Sequence, residues 1–439
     1  MVPRNILKPL FELDDKELKL VLLSALYFFL VLCSYYILRP VREEMGVAAG
    51  VKNLPWLFMV TLLVMLIAAP LLGALVSRFR RRVFLPFAYH FFAANLLLFF
   101  FALTYLPASY DITVGRVFYV WISVFNLFIV SLFWGFMADG FGLEQSKRLF
   151  PMIAIGGTLG ALLGATITQQ LIGVFDKSQL IIISIIFLEC AVLVVVMLDK
   201  RFDIRDDKKP EVIQSNRTRT SVLAWFEGIK DACTSPYLLA IAGYLFCYTL
   251  TSTFLYFEQA EIVSQFSSDR TERTKVFATI DQWVNGLTLF FQLFVSGHLI
   301  KRVGIAVILV AMPVLILSGF VALALVPSLT VLMAFQVLRR STNYGLFKPA
   351  RETLFTILET QQKYKAKSFI DTFVYRGGDA LGASGYKLLQ VFASGIGAVT
   401  VVIFFVSIFW GGLGWFLGKK QQSVARENNN IQHPMVGET

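Results

Sequence analysis

Apolar residues along this chain fall in long unbroken blocks, not in the alternation or the i, i+3, i+4 stripe of an element with one face in water. Each block is close to the roughly 20 residues a helix needs to cross about 30 Å of hydrocarbon. The first set of blocks covers 17–38, 54–77, 83–107, 114–137, 150–174 and 179–198. A polar stretch follows, KRFDIRDDKKPEVIQSNRTRT from Lys200 to Thr220, then an amphipathic segment to about Ser235. The second set covers 236–257, 275–299, 303–326, 329–347, 368–392 and 396–417. In hydrocarbon a span must satisfy its own backbone hydrogen bonds, so the pattern predicts helices. The expected organisation is an N-terminal six-helix bundle over 1–198, a cytoplasmic linker over 199–235, a C-terminal six-helix bundle over 236–418 and a cytoplasmic tail over 419–439.

Composition supports the bilayer as solvent. Hydrophobic residues make up 56% of the 439 positions and charged residues 16%, with 42 phenylalanines, and the mean hydropathy is +0.67. The amphipathic lead MVPRNILKPLFELDDKELKL has no small-residue cleavage site, and no removable signal peptide is expected. Cys33, Cys190, Cys233 and Cys247 have neither metal-site nor disulfide-framework spacing and read as small packing residues. A net charge of +11 raises nucleic acid as a partner, but the distribution of the charge removes the need for one. With a cytoplasmic N-terminus, the loops on that side collect Arg78, Arg80, Arg81, Arg82, Lys147, Arg148, the basic linker, Lys301, Arg302, Lys363, Lys365 and Lys367. The positive-inside rule then places both termini in the cytoplasm, and the linker can rest on anionic headgroups.

The two sets look duplicated. GALVSRFRRR from Gly73 and GHLIKRVG from Gly297 occupy the same place in each set, with Arg78 and Arg302 five residues after the glycine. The pair resembles the cytoplasmic latch motif of the major facilitator superfamily. Ser77 and Lys301 stand where that motif has Asp, and Arg80 replaces its second Gly, which Gly304 keeps in the second copy. The resemblance implies two six-helix bundles around a central cavity, with substrate near the midplane. It also implies that the first, fourth, seventh and tenth helices line that cavity.

Charges within the spans are costly and therefore candidates for function. Glu189 lies in span six, either neutral or paired for packing, or as a proton carrier, and His90 reads as interfacial. Span eight carries Asp281, Asn285 and Gln292, the first two on one helical face. Span eleven carries Asp371, Arg376 and Asp379, and Arg376 with Asp379 has the spacing of a local ion pair. Arg339 and Arg340 are adjacent in span ten, about 100° apart around the helix, so only one readily faces a cavity. At the end of span one, SYYILRPVREEMG places Tyr35, Arg39 and Arg42 on one face if the helix continues past Pro40. Two guanidiniums and a phenol there would form an anion site. In the other reading Pro40 ends the span, Arg39 snorkels to the headgroups and Glu43 and Glu44 are solvated.

Four ordered segments, in both halves, resemble the bacterial and plastid ATP/ADP translocase family. LRPVREEM resembles its Leu-Arg-x-x-Lys-Asp, matched at Arg39, Arg42 and Glu43. LFWGFMADGFGLEQSKRLFP resembles its Phe-Trp-Gly-Phe segment and the Lys-Arg-Tyr or Phe-Pro that follows, at Phe133, Trp134, Gly135, Phe136, Lys147, Arg148, Phe150 and Pro151. NYGLFKPARETLF and YKAKSFIDTFVYRGG supply Arg351, Lys365, Lys367, Asp371 and Arg376. Lys348 replaces an Asp of the family pattern and Asp379 replaces a Lys, so two charges are reversed.

The resemblance implies an all-α membrane protein of about 12 transmembrane helices, major facilitator-like in fold. It implies secondary active transport of a nucleotide or similar organic anion across a bacterial inner membrane by alternating access. Tyr35, Arg39, Arg42 and Arg376 are the expected anion ligands, and Arg39 and Arg42 should meet Arg376 across the halves. Glu43, Asp281, Asn285, Asp371 and Asp379 are the expected coupling or gating groups, and Arg78 with Arg302 the cytoplasmic latch. A proton-coupled carrier of another solute and a non-transporting membrane scaffold are the competing readings. Nothing in the chain calls for a metal or cofactor, and a monomer is expected. No Gly-x-x-x-x-Gly-Lys-Ser/Thr loop points to an ATP-driven pump, and three histidines form no catalytic constellation, so an enzyme is not expected.

Overall fold

The computed structural model describes residues 15–79, 81–202, 235–358, 370–393 and 395–432. Most of the expected linker, 203–234, lies outside the described residues, as do Lys363, Lys365 and Lys367. The first six helices are α1 (Asp15–Ala48), α2 (Leu54–Arg78), α3 (Arg81–Tyr105), α4 (Asp111–Gly140), α5 (Leu143–Leu171) and α6 (Lys177–Asp199). Next come α7 (Pro236–Phe266) and α8 (Arg270–Phe290), which runs on through a π turn, Phe291–Val295, into Ser296–Val303. Then follow α9 (Ile305–Leu325) and α10 (Leu329–Thr342), the latter continued by a π turn, Asn343–Phe347, into Lys348–Glu352. A π turn at Ile370–Val374 leads into α11 (Tyr375–Phe392), and α12 (Ile396–Gln432) ends the described chain.

Among the described residues nine helices are long and apolar enough to cross a membrane. Helices α8, α10 and α11 fall outside that set. They are the ones that carry Asp281, Arg339, Arg340, Arg376 and Asp379. Several helices outrun their apolar windows. Helix α1 passes through Pro40 and continues ten residues beyond the expected end at 38, to Ala48. Pro40 removes one helical hydrogen bond, while the buried side chains of Glu43 and Glu44, with partners described below, hold the extension. The reading in which Pro40 ends the helix and the glutamates are solvated is thereby corrected.

The chain divides into two compact units. One comprises residues 1–209 with 263–289, and the other 210–262 with 290–439. Most of α8 thus belongs to the first unit, although the repeat places it with the second set of spans.

In the first unit α1 and α5 pack at backbone distance. Gly156, Gly160 and Gly164 recur every four residues along α5, so they lie on one face. A Cβ on any of the three would overlap the backbone of Ala25, Phe29 or Cys33, which recur at the same interval on α1. Small residues serve this purpose in membranes, where apolar burial against lipid gives little drive and close van der Waals contact supplies the association. The other faces of α1 carry the aromatic core. Phe28 stacks on Phe133 with centroids 4.1 Å apart, and Trp134 sets its edge against Phe28 at 5.3 Å. Phe133, Trp134 and Phe136 of the family-like segment are therefore packing residues.

Buried polar groups also join the helices. Tyr27 and Tyr89, both fully buried, share a hydroxyl–hydroxyl hydrogen bond between α1 and α3. Ser184 on α6 donates to the Ser34 carbonyl at 2.9 Å. Tyr89→Phe should leave the Tyr27 hydroxyl without that partner and lower stability by about 1–3 kcal/mol. Thermal unfolding of the purified protein in detergent measures this. In the second unit Gly418 of α12 meets Ala306 of α9 at backbone distance, and Tyr244 of α7 donates to the Leu309 carbonyl at 2.8 Å.

Candidate functional site

Two groups of charged side chains in the first unit begin on α1 and close on buried carboxylates. In the first, Arg39 forms an ion pair with Asp281 of α8. Asp281 is 2% exposed, and Asn285, one turn on, donates its amide to the Asp281 carbonyl at 2.8 Å. The structure therefore brings together Arg39, Asp281 and Asn285, three of the residues singled out from the sequence. The ring facing Arg39 is that of Tyr36, with the guanidinium carbon 5.6 Å from its centroid. Tyr35 stands edge-on to Tyr36 at 5.3 Å, inside the packed wall of α1.

Arg42 takes different partners. Its guanidinium lies 3.9 Å from the Tyr119 ring centroid, and its Nε donates to the Tyr119 carbonyl at 3.1 Å. Its Nη2 donates to Ser123 at 3.2 Å and its Nη1 to Glu43 at 2.7 Å. A cation over an aromatic face, fixed by three directional bonds, is a held side chain, not a snorkelling one.

The second group lies where the end of α1 meets the first turns of α4, α6 and α8. Glu44, 1% exposed, accepts a fork from Arg270, Nε to Oε1 at 2.9 Å and Nη2 to Oε2 at 3.1 Å. Arg273 adds a third bond at 3.0 Å. Arg270 also reaches Asp111 at 3.1 Å, and Lys177 reaches the same carboxylate at 2.8 Å. Burial alone would lower the pKa of Arg270, but its bonds to Glu44 and the charges of Glu44 and Asp111 raise it, so the guanidinium stays charged. Sequence reasoning missed this group. Its signal was the i, i+3 pair Arg270 and Arg273 at the head of a span, with Glu44 beside the already noted Glu43.

In the second unit Arg376 and Asp379 form the expected i, i+3 pair, at 3.5 Å. Asp379 also accepts from Thr253 of α7 at 3.3 Å. Asp371 falls in the π turn before α11, and its side chain lies outside the described residues. Arg339 and Arg340 are each 7% exposed, so both adjacent arginines are buried, although helix geometry readily turns only one of them toward a cavity. Arg78 closes α2 and is exposed, as is Arg302, while the side chains of Ser77 and Lys301 lie outside the described residues.

His90 joins α3 to α6 through Glu189 at 3.0 Å, and both side chains are substantially exposed. Glu189 is thus paired. Among the described residues no group of His, Cys, Asp and Glu has the form of a metal site.

Comparisons with known proteins bear on this arrangement. The family model described as TLC ATP/ADP transporter matches residues 112–328. The ADP,ATP carrier protein 1 of Chlamydia muridarum is 23% identical over 473 aligned positions, covering 91% of this chain and 88% of that protein. Among solved structures, an auto-inhibited peptide transporter of the POT family aligns with a TM-score of 0.61 at 13% identity, covering 93% of this chain and 97% of that one. A bacterial homologue of the human lysosomal transporter Spinster, inward-facing and unoccupied, aligns with a TM-score of 0.55 at 13% identity, covering 93% and 99%. The chain is a helical, multi-pass membrane protein with the fold of major facilitator-type transporters.

Proposed function

We propose, on the premise of the TLC ATP/ADP transporter match, that this chain is a nucleotide carrier, moving an ATP- or ADP-like anion across a membrane by alternating access. The family match and the ADP,ATP carrier relatives support nucleotide transport. The observation that carries the mechanism is the buried Arg39–Asp281 pair, set on a polar helix inside an otherwise apolar protein. A buried charge is costly unless it is paired. A carrier that holds its cationic ligands against its own carboxylates keeps them compensated when the substrate is absent, and a phosphate can take the place of the carboxylate, since a guanidinium can offer it paired hydrogen bonds.

In this reading Arg39, Arg42 and Arg376 contact the anion, and Asp281, Glu43 and Asp379 are the carboxylates it displaces. Tyr35, Asn285 and Asp371 complete the proposed set, and Arg78 with Arg302 serves as the cytoplasmic latch. Asp379, standing where the family resemblance has Lys, makes the Arg376 end of the site less cationic and favours a smaller charge than a triphosphate carries. The membrane is the bacterial inner membrane, with both termini cytoplasmic, and the protein acts as a monomeric carrier and not as an enzyme.

Purified protein in liposomes, given labelled ATP and ADP against a panel of other anions, tests the proposal. Saturable nucleotide uptake that rises with nucleotide trapped inside is the expected result. Absence of saturable uptake or exchange of any nucleotide would sink the nucleotide reading. Uptake driven by a pH gradient without a counter-substrate would replace exchange by proton coupling. Arg39→Gln should reduce kcat/KM for the substrate by at least about tenfold, as loss of a charge-assisted contact predicts.

A further inference from the structure

Arg39, Arg42 and Arg273 each meet a carboxylate. Arg339 does not. It is 7% exposed, and among the described residues every hydrogen bond it makes goes to a neutral group. Its Nε and Nη2 donate to the Gln336 amide oxygen at 3.3 and 2.9 Å, and its Nη1 donates to the Ser252 hydroxyl at 2.8 Å. These three bonds leave two of the five guanidinium N–H groups without a partner among the described residues. Among the described residues, the titratable groups that act most on it are the phenols of Tyr248, Tyr344 and Tyr375 and the second guanidinium of Arg340, none of them a carboxylate.

The neutral shell is itself ordered. Gln336 donates its amide nitrogen to the Gln259 oxygen at 2.6 Å, which turns the Gln336 oxygen toward Arg339. Tyr248 and Tyr375 lie with centroids 6.4 Å apart, so α7, α10 and α11 all contribute to the same place within the second unit. A guanidinium held in a fixed orientation, buried, beside a second guanidinium and with no carboxylate bonded to it among the described residues is costly for the protein alone. The cost is relieved when an anion arrives, and a guanidinium with free paired donors suits a phosphate or carboxylate oxyanion.

We infer that Arg339 is an anion-binding residue of the second unit, with Arg340 adding charge and with Gln336 and Gln259 as positioning residues that aim the guanidinium without neutralising it. The ligand class is a phosphate-bearing anion, which under the carrier reading above is the phosphate end of the transported nucleotide. The role differs from that of Arg376, whose charge is already matched by Asp379. Here the substrate is the counter-ion.

The test is binding and thermal unfolding of the full chain in detergent, with ATP, ADP, pyrophosphate and inorganic phosphate as probes, for the wild type, Arg339→Gln and Arg339→Lys. Wild type should be stabilised by the anion, and Arg339→Gln should bind it at least about 30-fold more weakly. Without anion, Arg339→Gln should melt no lower than wild type, because the amide removes an uncompensated charge; a merely structural arginine would leave a destabilised protein. Arg339→Lys keeps the charge, loses the fork and should bind with intermediate affinity, which covers a failure of the Gln variant to fold. Unchanged affinity in the folded variants overturns the inference and leaves the nucleotide reading standing. Stabilisation by phosphate or pyrophosphate but not by nucleotides, lost in Arg339→Gln, upholds the inference and removes the nucleotide reading. No stabilisation by any of the four anions overturns both.

Discussion

Gly160→Leu is expected to prevent the first unit from assembling. A Cβ at position 160 would sit on the backbone of Phe29 on α1. Backbone cannot swing aside as a flexible side chain does, so α1 and α5 must separate along their shared face. Ordinary overpacking costs about 1–3 kcal/mol, with room for side chains to adjust. Here separation would also weaken the neighbouring contacts at Gly156 and Gly164, and it would move α1, which carries Arg39, Arg42 and Glu44. The purified variant should elute as aggregate, or melt far below wild type, whereas Gly411→Ala, at a position with open space around it, should behave as wild type. A Gly160→Leu protein that is monodisperse and melts with the wild type would show that the close approach of α1 and α5 is not required.

The apolar blocks predicted the helices because the bilayer imposes one length and one backbone solution on every span. The glycine ladder of α5 was present in the same text. Its meaning needed the facing ladder of Ala25, Phe29 and Cys33 on α1, which no local window contains. The helix ends were harder to place for the same reason. The last ten residues of α1 and the first turn of α8 are too polar for a hydropathy window, and they are held by Glu44, Arg270 and Arg273 across more than 200 positions of sequence, 226 for Glu44 with Arg270 and 229 for Glu44 with Arg273.

The site was legible as an inventory of residues but not as pairs. Arg39 and Asp281 each stand out as charges in apolar surroundings, yet they lie 242 positions apart. By contrast, Arg376 and Asp379 are three apart, so helix geometry alone supplied that pairing. Spacing put Tyr35 one turn before Arg39, and the structure adds the neighbouring ring of Tyr36, three residues before Arg39, with the guanidinium carbon 5.6 Å from its centroid. The family-like Phe-Trp-Gly-Phe segment was the reverse case, visible as a motif and resolved by the structure as core packing.

Asp281→Asn is expected to cost about 3–5 kcal/mol of stability, the range for leaving one partner of a buried ion pair without its counter-charge. Arg39 has its own cation–π contact with Tyr36, but a neutral ring does not replace the carboxylate. The amide of asparagine keeps the shape and one acceptor, which isolates the charge as the cause. Arg39→Gln combined with Asp281→Asn removes both charges and should recover most of the loss, because a neutral polar pair avoids the desolvation that the single variant suffers. A double-mutant cycle read by thermal unfolding in detergent therefore predicts strong non-additivity, and strict additivity would mean that the two groups do not act on each other. Transport should divide the same proteins differently. If Arg39 is a ligand for the anion, the double variant folds as well as wild type and still fails to transport, since repairing the fold does not restore the cation. A double variant that recovered both stability and transport would reduce the pair to a structural bridge and move the anion contact to the remaining arginines.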